Sequence, residues 1–198
     1  MELLTEVQDQ RTLLLSRDQR LSFKEFDELF NLLFNRTWVV RGKEYNLAEL
    51  GWKRGYNTRK RSLGLCSYRY QRLFGGYTLK ERGTVWISKT YLELNLDNVL
   101  DFEDTVRHEI AHAIDCEIRG RSNHDNHWKM ICREVGAKPN RVNTEKVLER
   151  PKGKYTLKCT SCGDEISKHR RPTRSSSCSP CGNGRYNPEF KHEVIQNW

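Results

Sequence analysis

The chain has 198 residues, and its 35 Lys and Arg against 26 Asp and Glu leave a formal charge of +9. That length allows one domain with a small appendage, and 36% hydrophobic with 10% aromatic residues suits a modest core rather than a disordered chain. No run of about 18 apolar residues occurs and Met1–Glu6 offers no basic stretch ahead of an apolar one, so a membrane span and a secretory leader are not expected and a cytoplasmic location is.

The charge is unevenly placed. Residues 51–82 hold nine basic and one acidic side chain, and residues 119–158 eleven and four, whereas the segment between them, 83–118, holds two and eight. Two basic blocks thus bracket an acidic one, a pattern that suits a phosphate-rich partner but equally a solvated face.

In chain order, Phe23, Phe26, Leu29, Phe30, Leu33 and Phe34 recur at helical spacing behind Ser22, predicting a capped, core-facing helix over 22–35. Short aromatic or β-branched segments follow around Val39–Val40, Gly51–Asn57, Leu65–Leu73 and Val85–Ser88, with a hairpin turn at Gly75-Gly76. They predict a small antiparallel sheet. From Asp101 the pattern turns helical, with Asp101 or Asp104 as cap, Val106, Ile110, Ile114 and Ile118 on one face and Gly120 as the stop. A further helix is expected from about Asp125 to Val135, ended by Gly136, and 137–158 reads as a polar connector. The organisation expected is an N-terminal segment (1–21), a core (22–150) and a terminal unit (151–198).

Inside the predicted helix lies His108-Glu109-Ile110-Ala111-His112. Histidines four apart share one helix face, one turn from each other, and can grip a single Zn²⁺. Glu109 beside them is placed to take a proton from a water acidified by the metal. A catalytic zinc normally takes three protein ligands. The extended spacing that would put a Gly at 115 and a third His at 118 is excluded by Asp115 and Ile118, which leaves His124, His127 and Glu134. His124 is preferred, since a loop at the start of the next helix can swing it back onto the metal.

Cys159-x-x-Cys162 and Cys178-x-x-Cys181 have the spacing of two zinc knuckles closing on one tetrahedral ion. Four thiolates would fill the shell, so this Zn²⁺ is structural and folds a segment too short for a core of its own. Cys66, Cys116 and Cys132 read as small buried residues. In the first basic block Lys53, Arg54, Arg59, Lys60 and Arg61 interleave with aromatic residues, a composition that binds single-stranded DNA by stacking and phosphate contact.

These residues together resemble the SprT-like, Spartan-related family of zinc metallopeptidases. The resemblance rests on His108-Glu109-Ile110-Ala111-His112-Ala113 and on His124-Asp125-Asn126-His127-Trp128, similar to the family's His-Gly-x-x-Trp. Gly51-Trp52 leading to Asn57, Leu63-Gly64-Leu65-Cys66 and Val85-Trp86-Ile87-Ser88 add to it, over roughly 22–182. It implies an α+β, zincin-like core plus a small zinc ribbon, with His108, His112 and His124 as ligands of a catalytic zinc and Glu109 as general base. It further implies cleavage of protein, in some members protein bound or crosslinked to DNA. Asp125 stands where the family has Gly. A monomer is expected, and the rival functions are a peptidase cutting one repressor and a non-catalytic zinc protein that binds nucleic acid.

Overall fold

Helix α1, Phe23–Asn35, starts at a reciprocal cap in which the Glu25 backbone N–H donates to Ser22 Oγ and the Ser22 N–H to Glu25 Oε2. Phe26, Leu29, Phe30, Leu33 and Phe34 are its buried face. A computed structural model of the chain describes residues 21–60, 62–97, 99–141 and 151–198, and the chain divides into two compact units, Met1–Glu149 and Arg150–Trp198. The fold is mixed α+β, with four α-helices and three small sheets among the described residues.

Strands β1 (Thr37–Val40) and β2 (Lys43–Asn46) form a hairpin whose turn, Arg41-Gly42, has positive φ at both residues. This is the turn geometry whose twist matches a hairpin. Strands β3 (Lys53–Asn57), β4 (Gly64–Leu73) and β5 (Gly76–Ser88) form the main sheet in the order β3-β5-β4. The expectation of an antiparallel sheet is corrected here: β4 pairs antiparallel with β5, but β3 runs parallel to it. The connection from β3 passes to the far edge before β5 enters between them, so the chain's order is not the sheet's order. The hairpin turn is Phe74-Gly75, with Gly76 already paired to Leu73.

A short helix α2 (Lys89–Leu94), not foreseen from the sequence, begins at a Ser88 cap. Helix α3 (Val99–Arg119) starts before Asp101, so neither Asp101 nor Asp104 caps it. Asp101 instead sits in its first turn, and Asp104 accepts the Lys138 N–H at 2.7 Å. Phe102, Val106, Ile110, Ala113 and Ile114 are buried, and α3 packs against the sheet, α1 and helix α4 (Asn126–Glu134). Gly120 at φ +79° ends α3 where a Cβ would run into the Tyr77 carbonyl, so the helix end can lie close against β5. Asp125 caps α4 by accepting from the Trp128 N–H at 3.1 Å. No helix among the described residues is long and apolar enough to cross a membrane.

The second unit is a three-stranded antiparallel sheet in the order β7 (Glu165–Lys168), β6 (Tyr155–Cys159), β8 (His192–Gln196). Tyr155 therefore already belongs to a strand, which shortens the connector expected over 137–158. Residues 142–150 of that connector and nearly all of the segment 1–21 lie outside the described residues.

Candidate metal centre

The helical repeat of α3 stacks His108 and His112 with ring centroids 5.0 Å apart. The six residues between α3 and α4 then bring His124 back over them, so that His124 Nε2 lies 3.2 Å from His108 Nε2 and 3.1 Å from His112 Nε2. Two nitrogens bound to one tetrahedral zinc would stand about 3.3 Å apart, given bonds of about 2.0 Å. The three donors lie within 4.8 Å of one another and could hold a metal ion. Burial lowers the pKa of His108 to about 4, with His124 adding to it, and burial likewise lowers that of His112. Neutral imidazole is the form that ligates metal.

The floor of the cluster is Trp128, fully buried on α4. Its ring lies 4.6 Å from His108, 4.9 Å from His112, where the two planes stack, and 4.6 Å from His124. Its indole N–H has no hydrogen-bond partner among the described residues, so it serves the site by shape.

Glu109 is buried beside the trio, and burial pushes its carboxyl up to about 8 against the opposing backbone N–H of Cys66. The strand next to it leaves room only because residue 64 is glycine: a Cβ there would lie 2.5 Å from Glu109 Oε1 and 2.7 Å from its Cγ. Gly64 thus fits close packing between β4 and α3, a role the sequence signalled only as part of Leu-Gly-Leu-Cys.

The alternatives for a third donor fall elsewhere. His127 Nδ1 faces the fully buried Asp115 carboxylate at 2.8 Å, and Glu134 is exposed at the end of α4, outside the group. Asp115 is shared with Arg119, which reaches on to Asp125. Beside His124 opens a cleft of about 790 Å³ lined in part by Asn123, Lys129, Asn140 and Arg141.

A second donor group lies in the second unit. Cys159, Cys162, Cys178 and Cys181 place their sulfurs within 4.8 Å of one another, with Cys162 Sγ 3.6 Å from Cys178 Sγ. Backbone N–H groups of Cys162 and Ser161 lower the Cys159 thiol to about 7, while Cys181 is pushed up to about 12, chiefly by Cys162. Thiolates this close repel, and a bound cation is what lets all four ionise together. Cys116 and Cys132 are buried and Cys66 partly so, as small core residues are.

The proposed nucleic-acid residues differ in exposure. Lys53 and Arg59 are exposed and Lys60 half-buried, whereas Arg61 lies outside the described residues. Arg54 is occupied within the fold: its guanidinium pairs with Asp27 at 2.6 Å and lies over the Phe30 ring. Sequence alternation marked its charge without showing this partner on α1.

Two histidines on one helix turn, a third returned by the following loop and a buried carboxylate alongside define a metallopeptidase-like protein. The SprT-like family model matches residues 28–147, more than half of the chain, and the protein belongs to the SprT-like family. A search of curated proteins returned no match.

Proposed function

We propose that the protein is a zinc-dependent endopeptidase with one catalytic Zn²⁺ at His108, His112 and His124 and one structural Zn²⁺ at the four cysteines. The observation that carries this reading is the convergence of three imidazole nitrogens beside a buried carboxylate on the same helix. Zinc at the histidines would supply Lewis acidity to a peptide carbonyl and acidify a water molecule. Burial alone raises the pKa of the Glu109 carboxyl, a cation held by the histidines would favour its ionised form, and Glu109 could then take the proton of the attacking water and pass it to the leaving amine. Trp128 keeps the three rings seated, and the cleft beside His124 takes the extended substrate chain.

The substrate is protein, and protein on single-stranded DNA is the form the surface suits best. At the tip of the β4–β5 hairpin Phe74 is fully exposed and Tyr70 and Leu73 half-exposed, with Arg72 on the same strand and Arg69 beside them paired to Glu81 at 3.3 Å. Aromatic faces with neighbouring cations stack bases and contact phosphate. Lys53, Arg59 and Lys60 add charge on the same sheet and the loop after it.

The test is incubation of a DNA-binding protein with the wild type and with Glu109→Gln, with and without single-stranded DNA. Cleavage by the wild type that the variant lacks, at equal zinc content, supports the peptidase. Equal cleavage by both removes Glu109 as base, and one tightly held zinc with no cleavage favours a nucleic-acid binder. Stimulation by DNA that weakens steeply with salt supports the DNA-bound substrate; a single preferred protein target without stimulation favours a regulatory peptidase.

A further inference from the structure

Strand pairing between β4 and β5 slips on either side of Arg69: Ser67 faces Thr84 and Arg69 faces Glu81, so two residues of β5, Arg82 and Gly83, stand opposite Tyr68 alone. Gly83 permits this, because a Cβ there would strike the Ser67 carbonyl. Such a bulge bends the ladder and re-aims a side chain. Here the Tyr68 hydroxyl reaches the loop between α3 and α4, where it accepts the Ser122 backbone N–H at 2.9 Å and donates to the Ser122 carbonyl at 3.1 Å.

Ser122 is pinned at both backbone groups by one side chain, and its own hydroxyl lies 2.7 Å from His112 Nδ1. For His112 Nε2 to face His124, as it does at 3.1 Å, and to bind a metal, the ring proton must sit on Nδ1. Ser122 Oγ is then the acceptor of that proton. Without that acceptor the ring loses the contact that favours this tautomer and one restraint on its rotation, the stack on Trp128 remaining.

We propose that Ser122, held by Tyr68 from the bulged hairpin, is the positioning residue that fixes the tautomer and orientation of His112. This rests on the reading of His108, His112 and His124 as a zinc site. Neither residue touches the ion; their effect reaches it through one imidazole, and it links the geometry of the sheet to the metal centre.

The experiment is a zinc competition titration of the full chain against a chromophoric chelator, for the wild type, Ser122→Ala, Ser122→Thr, Tyr68→Phe and the Ser122→Ala/Tyr68→Phe pair. The cysteine site is the internal reference in each. The wild type is expected to hold two zinc ions, and Ser122→Ala to weaken the histidine site alone by roughly 10–100-fold. Ser122→Thr, which keeps the hydroxyl, should recover most of that loss. Tyr68→Phe should weaken the same site, and adding it to Ser122→Ala should cost less than it costs alone, because both act through one contact. Two zinc ions with unchanged affinity in Ser122→Ala overturn the positioning role and leave the zinc site standing. Equal losses in Ser122→Ala and Ser122→Thr overturn it too. A wild type that binds zinc only at the cysteines removes the underlying metal reading, and the inference with it.

Discussion

Arg119 holds Asp125 through two nitrogens, at 2.7 and 3.1 Å, while the same guanidinium grips the buried Asp115 at 2.7 and 2.6 Å. The last turn of α3 is thereby tied to the first residue before α4, next to His124. Asp125 occupies the position where similar motifs carry glycine, yet its φ of −80° is one any residue adopts. The turn presenting His124 makes no demand for glycine here, and the side chain gained is used as a cap and an ion-pair partner.

Asp125→Ala removes the cap of α4 and half of what Arg119 holds. A loss of about 1–2 kcal/mol is expected, mostly from the cap, readable as a lower urea midpoint at unchanged slope. Zinc at the histidine site should weaken as well, since His124 loses its anchored neighbour. A variant with wild-type midpoint and zinc affinity would show that Asp125 is idle.

Gly64→Ala tests the contact between β4 and Glu109. The added methyl would meet both Oε1 and Cγ of Glu109 and lie 2.9 Å from Thr105 Cγ2, so the carboxylate must move. Overpacking of this kind costs about 1–3 kcal/mol, and displacement of a general base lowers turnover by roughly 10²-fold or more. Zinc content should stay as in the wild type. Steady-state cleavage beside metal analysis separates the two effects, and full activity would mean that the strand yields instead.

The Asp27–Arg54 pair predicts a pH dependence. Arg54 holds the Asp27 carboxyl below its ordinary value, so its contribution to stability is complete above the unfolded value of about 3.9 and is lost as pH falls through the lower folded value. Asp27→Asn should therefore be less stable than the wild type at pH 6, by on the order of 0.5–1 kcal/mol for a partly exposed pair. That gap should narrow towards pH 3. Urea unfolding of both proteins across this range checks it; a constant gap would mean that the carboxylate's charge plays no part.

Cys162→Ser addresses the terminal unit. One zinc per chain should be lost and the strands β6, β7 and β8 should lose amide protection, while α3 and α4 keep theirs, because each donor group lies inside its own compact unit. Hydrogen exchange read by mass spectrometry distinguishes this from a collapse of both units.

The parts of this fold legible in the sequence are those written locally. Ser22 and the spacing of five buried residues define α1, and Gly120 and Gly136 mark the ends of α3 and α4 as positive-φ stops. The His108–His112 and cysteine spacings likewise carry their chemistry in a few adjacent positions. The parallel pairing of Lys53–Asn57 with Thr84–Ser88 was not legible, because alternation reports a strand's faces and not its neighbour. The pairing of Arg54 with Asp27 is hidden for the same reason, its partner being on another element. Ser122 and Tyr68, 54 positions apart, carry no motif at all, and only the bulge in the sheet brings them together.

The three imidazoles and the indole beneath them all come from residues 108–128. His112 and His124 are only 12 positions apart, and Cys162 and Cys178 only 16. An ion at either place closes a short loop, and the chain entropy lost in closing a loop grows only slowly with its length. An ion at either place would therefore fasten one helix pair or one ribbon, and the long-range pairing of β3 with β5 involves none of these donors. The expected consequence is a main sheet whose pairing does not depend on metal, with the histidine group open to whichever ion binds there.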